Sequence, residues 1–195
     1  MIAIVNTGGS NLSSVSNAID RLDCPWIITQ DPDIILKAEK VLLPGVGAAR
    51  ASMDKIIKAE LSEMLPRLTQ PTLGICLGMQ LLFEGSDEGQ TACLGMIPGR
   101  VTAIPRNEGL TLPHMGWNRL SFKSDSALLK NVEEGSFVYF VHSFQGPINQ
   151  YTKAATHYGV EIPALVEKDN FFGAQFHPEK SAAIGQTMLR NFIAL

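Results

Sequence analysis

The sequence has no long hydrophobic run, few cysteines and no cluster of basic residues. No apolar stretch approaches the roughly 20 residues that cross a bilayer, and the apolar run at residues 2–5 is too short for a signal peptide. Three cysteines in 195 residues do not suggest a disulfide framework. The 16 Lys and Arg and the 19 Asp and Glu are scattered, with no footprint for nucleic acid or a membrane surface. We therefore expect a soluble, cytoplasmic chain whose partners are small molecules or proteins.

Nucleotide-binding signatures are also missing. Residues 7–12 form a turn-rich segment after the first apolar run, but they lack G-x-G-x-x-G, and no Walker A sequence occurs anywhere in the chain. The length of 195 residues and the hydrophobic content of 45% are nevertheless enough to bury one substantial core. We expect a single domain over residues 1–195 that does not bind nucleotides.

The first half of the chain alternates between strand-like and helix-like segments. Strands are predicted at 2–5, 26–29, 41–43 and 72–76, and helices at 12–22, 31–37, 48–65 and 77–83. Parallel strands need crossover connections, so this alternation predicts an α/β fold with a mostly parallel central sheet flanked by helices.

The second half has shorter β-rich segments separated by Gly, Pro and Asn. They lie at 101–104, 137–141, 154–158, 164–168 and 171–176. We expect an antiparallel extension of the sheet there, followed by a final helix over 182–193.

One cysteine lies where a strand is predicted to pass into a helix. Residues 74–78 read Gly-Ile-Cys-Leu-Gly, the G-x-nucleophile-x-G pattern of a sharp strand-to-helix turn. The helix N-terminus favours the thiolate of Cys76, and the N–H of Leu77 is placed to donate to an oxyanion. A buried structural cysteine fits this pattern equally well. Cys24 and Cys93 have no such context and are expected to be structural.

A histidine and a carboxylate follow the last predicted strand. Residues 176–179 read Phe-His-Pro-Glu, and in extended chain residues two apart point the same way. Glu179 is thus able to orient one ring nitrogen of His177 while the other faces Cys76. The cysteine and histidine are 177 − 76 = 101 residues apart, so only the tertiary fold can bring them together, and an ordinary strand-end histidine stays an alternative.

A glycine-rich loop follows another predicted strand. Residues 44–47 read Pro-Gly-Val-Gly and precede a helix. In parallel α/β sheets ligands bind beyond the carboxyl ends of the strands, where this loop and Cys76 should both lie. We expect the N–H of Val46 or Gly47 to be a second oxyanion donor, although the same sequence also suits a simple turn.

These three segments together resemble the signature segments of class I glutamine amidotransferases. Residues 113–118, Pro-His-Met-Gly-Trp-Asn, residues 139–143, Tyr-Phe-Val-His-Ser, and residues 177–181, His-Pro-Glu-Lys-Ser, are similar to the glutaminase subunits of imidazole glycerol phosphate synthase, in histidine biosynthesis. The resemblance runs nearly end to end. It implies a flavodoxin-like core and a triad of Cys76, His177 and Glu179.

The resemblance also implies the roles of other residues. Val46 and Leu77 would supply oxyanion N–H groups. Residues implied to hold glutamine are Gln80, Glu88, His142 and Ser143. Residues implied at the interface with a (β/α)8-barrel synthase subunit, which receives the ammonia in a heterodimer, are Asn11, Trp117 and Lys180.

The predicted reaction is hydrolysis of glutamine to glutamate and ammonia through a Cys76 thioester, without a metal or organic cofactor. Alternatives from the sequence are a cysteine peptidase on a similar fold, the glutaminase of another synthase such as anthranilate or aminodeoxychorismate synthase, and a catalytically silent binding subunit. Those other glutaminases more often have Gly-His-Gln after the cysteine, where this chain has Gly-Met-Gln at 78–80.

Overall fold

The computed structural model describes residues 1–7, 12–106 and 109–195. Fourteen strands are present in these ranges, eight of them in one central sheet. The strands are β1 (Ile2–Val5), β2 (Trp26–Thr29), β3 (Lys40–Gly45), β4 (Thr72–Cys76), β5 (Phe83–Ser86), β6 (Thr91–Ala92), β7 (Ile97–Ala103), β8 (His114–Arg119), β9 (Ser121–Phe122), β10 (Phe137–His142), β11 (Phe144–Gln145), β12 (Thr152–Tyr158), β13 (Val160–Lys168) and β14 (Phe171–Ala174).

The central sheet has the order β2-β1-β3-β4-β14-β13-β12-β9. Its first five strands are parallel and the remaining pairs are antiparallel. The order of the parallel part is that of a flavodoxin-like, doubly wound sheet, with β14 as its fifth strand. The predicted α/β class, the mostly parallel sheet and the antiparallel extension are confirmed.

Two smaller sheets lie outside the central one. β8 and β10 form an antiparallel ribbon, and β11, β7, β5 and β6 form a four-stranded sheet. The strand predicted at 101–104 belongs to the longer β7. β5, β6, β8, β9 and β11 were not predicted, because they are short or lack a clear apolar alternation.

Five α-helices occur in the described ranges. They are α1 (Leu12–Asp20), α2 (Pro32–Lys37), α3 (Ala49–Lys58), α4 (Leu77–Leu81) and α5 (Ala182–Ile193). α1 and α5 pack on one face of the central sheet, and α2 and α3 pack on the other, each with its own apolar cluster. Both faces are covered, which explains why the parallel strands are apolar throughout. No helix in the described part of the chain is long and apolar enough to cross a membrane.

Three predicted helices are too long. The helix predicted over 12–22 ends at Asp20. The helix predicted over 48–65 ends at Lys58, because Glu60 has a φ of +59°, a left-handed conformation that a helix cannot continue through. The helix predicted over 77–83 ends at Leu81, and Phe83 begins β5. Beyond Lys58 and Leu81 the apolar residues continue at helical spacing because they remain buried. The spacing alone therefore does not reveal where these helices end.

Candidate active site

Cys76 lies on a sharp turn at the carboxyl end of β4. It is the last residue of the strand and directly precedes α4, with a φ of +54° and a ψ of −109°. A non-glycine residue rarely adopts this left-handed backbone, and such strain recurs at functional sites. The turn leaves Cys76 7% exposed, so the thiol is largely desolvated but retains a path to solvent.

The two glycines around Cys76 let α4 lie against β3 and β4. A Cβ on Gly78 would be 1.7 Å from the carbonyl oxygen of Leu43, and a Cβ on Gly74 would be 2.6 Å from the backbone of Gly78. Both contacts are with backbone atoms, which cannot rotate away as a side chain can. The pattern G-x-C-x-G thus reflects a steric requirement at this turn.

His177 reaches Cys76 because their strands are neighbours. β14 pairs in parallel with β4, with Ala174 opposite Ile75, so the segments that follow both strands emerge at one sheet edge. The Cys76 side chain is close enough to raise the pKa of the His177 ring, and the ring Nδ1 lies 2.7 Å from Oε1 of Glu179. The structure therefore brings together the three residues predicted as a triad.

Glu179 reaches the histidine by a different route from the one predicted. Pro178–Lys180 form a 3-10 turn, not extended chain, and the turn brings the carboxylate back to the ring. Both side chains are almost fully buried, at 1% exposure for His177 and 0% for Glu179. Burial lowers the pKa of His177, but its interactions with the Cys76 and Glu179 side chains raise the pKa by a larger amount, so that it lies at about 9.

A cavity of about 640 Å³ opens in front of Cys76 and His177. Its lining includes most of the predicted site residues, namely Val46, Gly47, Leu77, Gln80, Glu88, His142, Ser143 and Lys180. The volume lies in the ordinary range for small-molecule sites. Among the described residues, no group of three His, Cys, Asp or Glu side chains is arranged to hold a metal ion.

The glycine-rich loop begins beside the nucleophile, since Gly45 pairs with Cys76 in the sheet. The loop is fastened at both ends. The Thr7 hydroxyl donates to the Pro44 carbonyl at 2.7 Å, and the Glu88 carboxylate accepts from the N–H of Ala49 at 2.8 Å. A carboxylate at the first turn of α3 also suits the helix dipole. Glu88 thus holds this loop in addition to lining the cavity.

The Gln80 side chain is occupied by protein groups. Its Nε2 donates to the Phe144 carbonyl at 2.9 Å and to Oε1 of Gln175 at 3.0 Å. Ser143 follows β10 and its carbonyl accepts from the N–H of Ile104. These contacts fix part of the wall of the cavity.

His114 was not predicted to take part in the site, but it supports His142. The two rings lie opposite each other on the β8–β10 ribbon, with His114 Nδ1 3.0 Å from His142 Nε2. The Nδ1 of His142 donates to the Phe144 carbonyl at 2.8 Å, which makes its Nε2 the acceptor and His114 the donor. Burial lowers the pKa of both histidines to about 4, so both imidazole rings are neutral at physiological pH.

Gln175 is a second residue of the site that was not predicted from the sequence. Its side chain is buried and its Nε2 lies 3.8 Å from the Cys76 sulfur. A signal was present, because Gln175 is a polar residue inside the apolar run at 171–176, and a buried polar side chain needs partners.

Of the residues implied at a partner interface, two are described. Trp117 lies on β8, is 52% exposed and meets the Tyr139 ring edge to face at 6.0 Å. Lys180 is exposed at the rim of the cavity. Asn11 lies outside the described residues.

Comparison with known proteins agrees with this architecture. The family description "Glutamine amidotransferase class-I" matches residues 3–195. The fold also resembles solved structures of low identity: a putative GMP synthase protein from Thermoplasma acidophilum has a TM-score of 0.74 at 18% identity, over 99% of this chain and 92% of that one. The glutaminase domain of Trypanosoma brucei CTPS with bound acivicin has a TM-score of 0.70 at 16% identity, over 99% and 93%. The chain belongs to the class I glutamine amidotransferase family.

Closer relatives narrow the assignment. The chain is 46% identical to imidazole glycerol phosphate synthase subunit HisH of Buchnera aphidicola subsp. Schizaphis graminum and to that of Yersinia pseudotuberculosis. It is 45% identical to HisH of Escherichia coli K12. Each match covers all of this chain and 99% of the relative. This identity over the full length groups the chain with the HisH glutaminase subunits, as the sequence motifs predict.

Proposed function

We propose that the chain hydrolyses glutamine at Cys76, with His177 as the acid and base and Glu179 as its orienting group, and passes the ammonia to a synthase subunit. The observation that carries the proposal is the His177 ring held between the Glu179 carboxylate and the Cys76 sulfur at the wall of the cavity. A raised histidine pKa beside a cysteine favours the imidazolium and thiolate pair that nucleophilic attack requires.

The proposed reaction has two stages, formation of a thioester and its hydrolysis. The Cys76 thiolate attacks the side-chain amide carbon of glutamine, and the carbonyl electron pair moves to oxygen. Collapse of this intermediate breaks the C–N bond, and His177 gives its proton to the leaving nitrogen, which departs as ammonia. Water then loses a proton to His177 and attacks the thioester, and cleavage of the C–S bond releases glutamate and the thiolate.

The oxyanion formed in both stages needs hydrogen-bond donors. The N–H of Leu77, at the start of α4, and the N–H of Val46 or Gly47 are the proposed donors, because all three residues line the cavity next to Cys76. Loss of one such donor typically costs about 3 to 4 kcal/mol of transition-state stabilisation. Gln80, Glu88, His142 and Ser143 line the same cavity and are proposed to contact glutamine.

The ammonia acceptor is proposed to be a (β/α)8-barrel subunit that binds the β8–β10 ribbon as a heterodimer. The outer face of this ribbon is unusually apolar, with exposures of 65% for Met115, 52% for Trp117 and 47% for Phe137. An exposed apolar patch beside a site is typical of an interaction surface. The backbone N–H of His177 donates to the backbone carbonyl of Tyr139 on β10 at 2.8 Å. A partner bound to this ribbon would therefore lie close to the base, His177.

The test is a glutaminase assay of the chain alone and with the barrel partner in the presence of that partner's substrate. Cys76→Ala should lower glutamate production by a factor on the order of 10⁴ or more, while Cys24→Ala, at a cysteine remote from the cavity, should not. Trp117→Ala should weaken co-purification with the barrel partner more than Ile57→Ala, which alters another exposed apolar residue, on α3. Glutamate production by Cys76→Ala in the assembled complex would contradict the proposed chemistry.

A further inference from the structure

Gln175 is a buried amide in direct contact with the reacting sulfur. It directly follows β14, has 0% exposure, and its backbone N–H donates to the Ala164 carbonyl at 2.9 Å. Its side-chain Nε2 is 3.8 Å from the Cys76 sulfur, and its Oε1 accepts from Gln80 at 3.0 Å. A fully buried amide at this place is fixed by its neighbours and cannot turn to solvent.

The hydrogen-bond network determines which end of the Gln175 amide faces the sulfur. The Phe144 carbonyl only accepts, so the Gln80 atom 2.9 Å from it must be the donating nitrogen. The same Gln80 nitrogen faces Gln175, whose nearer atom must therefore be the oxygen. The Gln175 NH₂ group is consequently the end that points to Cys76.

The groups around the sulfur act in opposite directions. The Val141 carbonyl, 3.7 Å from the Cys76 sulfur, can only accept, so it favours the protonated thiol. The Gln175 amide N–H can only donate, and a donor to an anion is stronger than one to a neutral group. Gln175 thus favours the thiolate without bringing a charge or a proton of its own into the site.

We propose that Gln175 is a further residue of the catalytic site, which donates a hydrogen bond to the Cys76 sulfur and stabilises the thiolate, while Gln80 holds the amide in the donating orientation. The role of the thiolate in glutamine hydrolysis rests on the proposed function. The contact with the sulfur does not, because any reaction of the thiol with a small electrophile would depend on it.

The experiment measures how fast iodoacetamide alkylates Cys76 between pH 5 and 10, read by peptide mass spectrometry on the full chain. Cys24 provides an internal reference for the reagent in every sample. Gln175→Met keeps an unbranched side chain but removes the donor. We expect its alkylation midpoint to rise by about one pH unit and its rate at pH values well below the wild-type midpoint to fall by about tenfold, as for loss of a hydrogen bond to a charged group.

Two further variants separate positioning from substrate binding. Gln175→Glu keeps an acceptor for Gln80 but replaces the donor with an acceptor, so it should raise the midpoint at least as far as Gln175→Met. Gln80→Met should also raise it, since iodoacetamide does not need the glutamine contacts of Gln80. The matched control is Gln70→Met, which removes another glutamine donor, the one to the Ile35 carbonyl, before the opposite end of β4.

The outcomes are distinct. Circular dichroism shows which of the two Gln175 variants folds. If a folded variant has the same pH midpoint of Cys76 alkylation as the wild type, the proposal is overturned. If the Gln175 variants raise the alkylation midpoint of Cys76 but the wild-type chain with its partner does not hydrolyse glutamine, the proposed function is overturned and the sulfur contact is supported. In the glutaminase assay we expect Gln175→Met to lower kcat by about tenfold with little change in KM.

Discussion

The two halves of the site are held in different ways. The nucleophile half, made of β3, β4 and α4, depends on backbone contacts at Gly74 and Gly78 that leave no room for a Cβ. The base half, made of β10, β14 and the 3-10 turn, depends on side-chain hydrogen bonds, such as those of His177 with Glu179 and of Ser181 with Tyr139 and His177. A change in the first half should disrupt the fold itself, whereas a change in the second should adjust the chemistry.

The strongest test of this contrast is Gly78→Ala. The added methyl group would overlap the Leu43 carbonyl at 1.7 Å, so β3 and α4 must separate. We expect the free energy of unfolding in urea to fall by more than about 3 kcal/mol. The difference between the alkylation rates of Cys76 and Cys24 should also be lost. Gly45→Ala, where the nearest atom is at 3.0 Å, should cost less. Equal stability of Gly78→Ala and the wild type would contradict the steric account.

Glu179→Gln tests the base half. The amide keeps the shape of the carboxylate but not its charge, so the pKa of His177 should fall from about 9, as measured by ¹⁵N NMR titration of the ring. We expect kcat to fall by a factor on the order of 10⁴ with the fold retained. The raised pKa means that the folded state favours the protonated ring. The contribution of His177 to folding stability is therefore complete below about pH 6.5 and is lost as the pH rises through about 9.

A matched control for this variant is Glu167→Gln on β13, which alters a carboxylate that accepts from Ser126 and does not line the cavity. It should leave the His177 titration unchanged. If Glu179→Gln also leaves the pKa of His177 near 9, the carboxylate does not orient or stabilise the imidazolium.

The smallest expected effect concerns the neutral histidine pair. Because burial lowers the pKa of His114 and His142 to about 4, the unfolded chain takes up protons that the folded chain does not. Their stabilisation is therefore present above about pH 6.5 and lost as the pH falls towards 4.

His114→Phe should reduce this pH dependence, because the new ring can stack on Phe140 and Tyr158 as His114 does but does not titrate. We expect the loss of unfolding free energy between pH 7.5 and 5.5 to shrink by an amount on the order of 1 kcal/mol. His157→Gln, at an exposed histidine on β12, is the control. An unchanged pH dependence in His114→Phe would show that the pair is not held neutral by the fold.

The contrast between the halves also explains what the sequence could predict. The turn at Cys76 is local, since its glycines and the nucleophile fall within five residues, and the predicted strand 72–76 is confirmed. The final helix was likewise predicted over 182–193 and is observed as Ala182–Ile193. The mostly parallel character of the central sheet was predicted from the alternation of strands and helices and is confirmed, whereas the order of its strands was not predicted from that alternation.

The base half depends on pairings between distant strands, which periodicity does not specify. The contact between His114 and His142 requires the register of β8 on β10, and β8 carries no apolar alternation that would predict it. Gln175 reaches the sulfur only because β14 lies beside β4. The roles of Gln80 and Glu88 as structural supports appear only once their partners, Gln175 and Ala49, are placed.

The neighbouring positions of β4 and β14 have a consequence for how this architecture can vary. The distance between thiol and imidazole is set by one ladder of the sheet, in which Gly173 faces Gly74, and not by the length of chain that connects the two strands. The loops of that intervening polypeptide that make no contact with the site are therefore open to insertion, deletion and remodelling, while the hydrolytic pair keeps the same span.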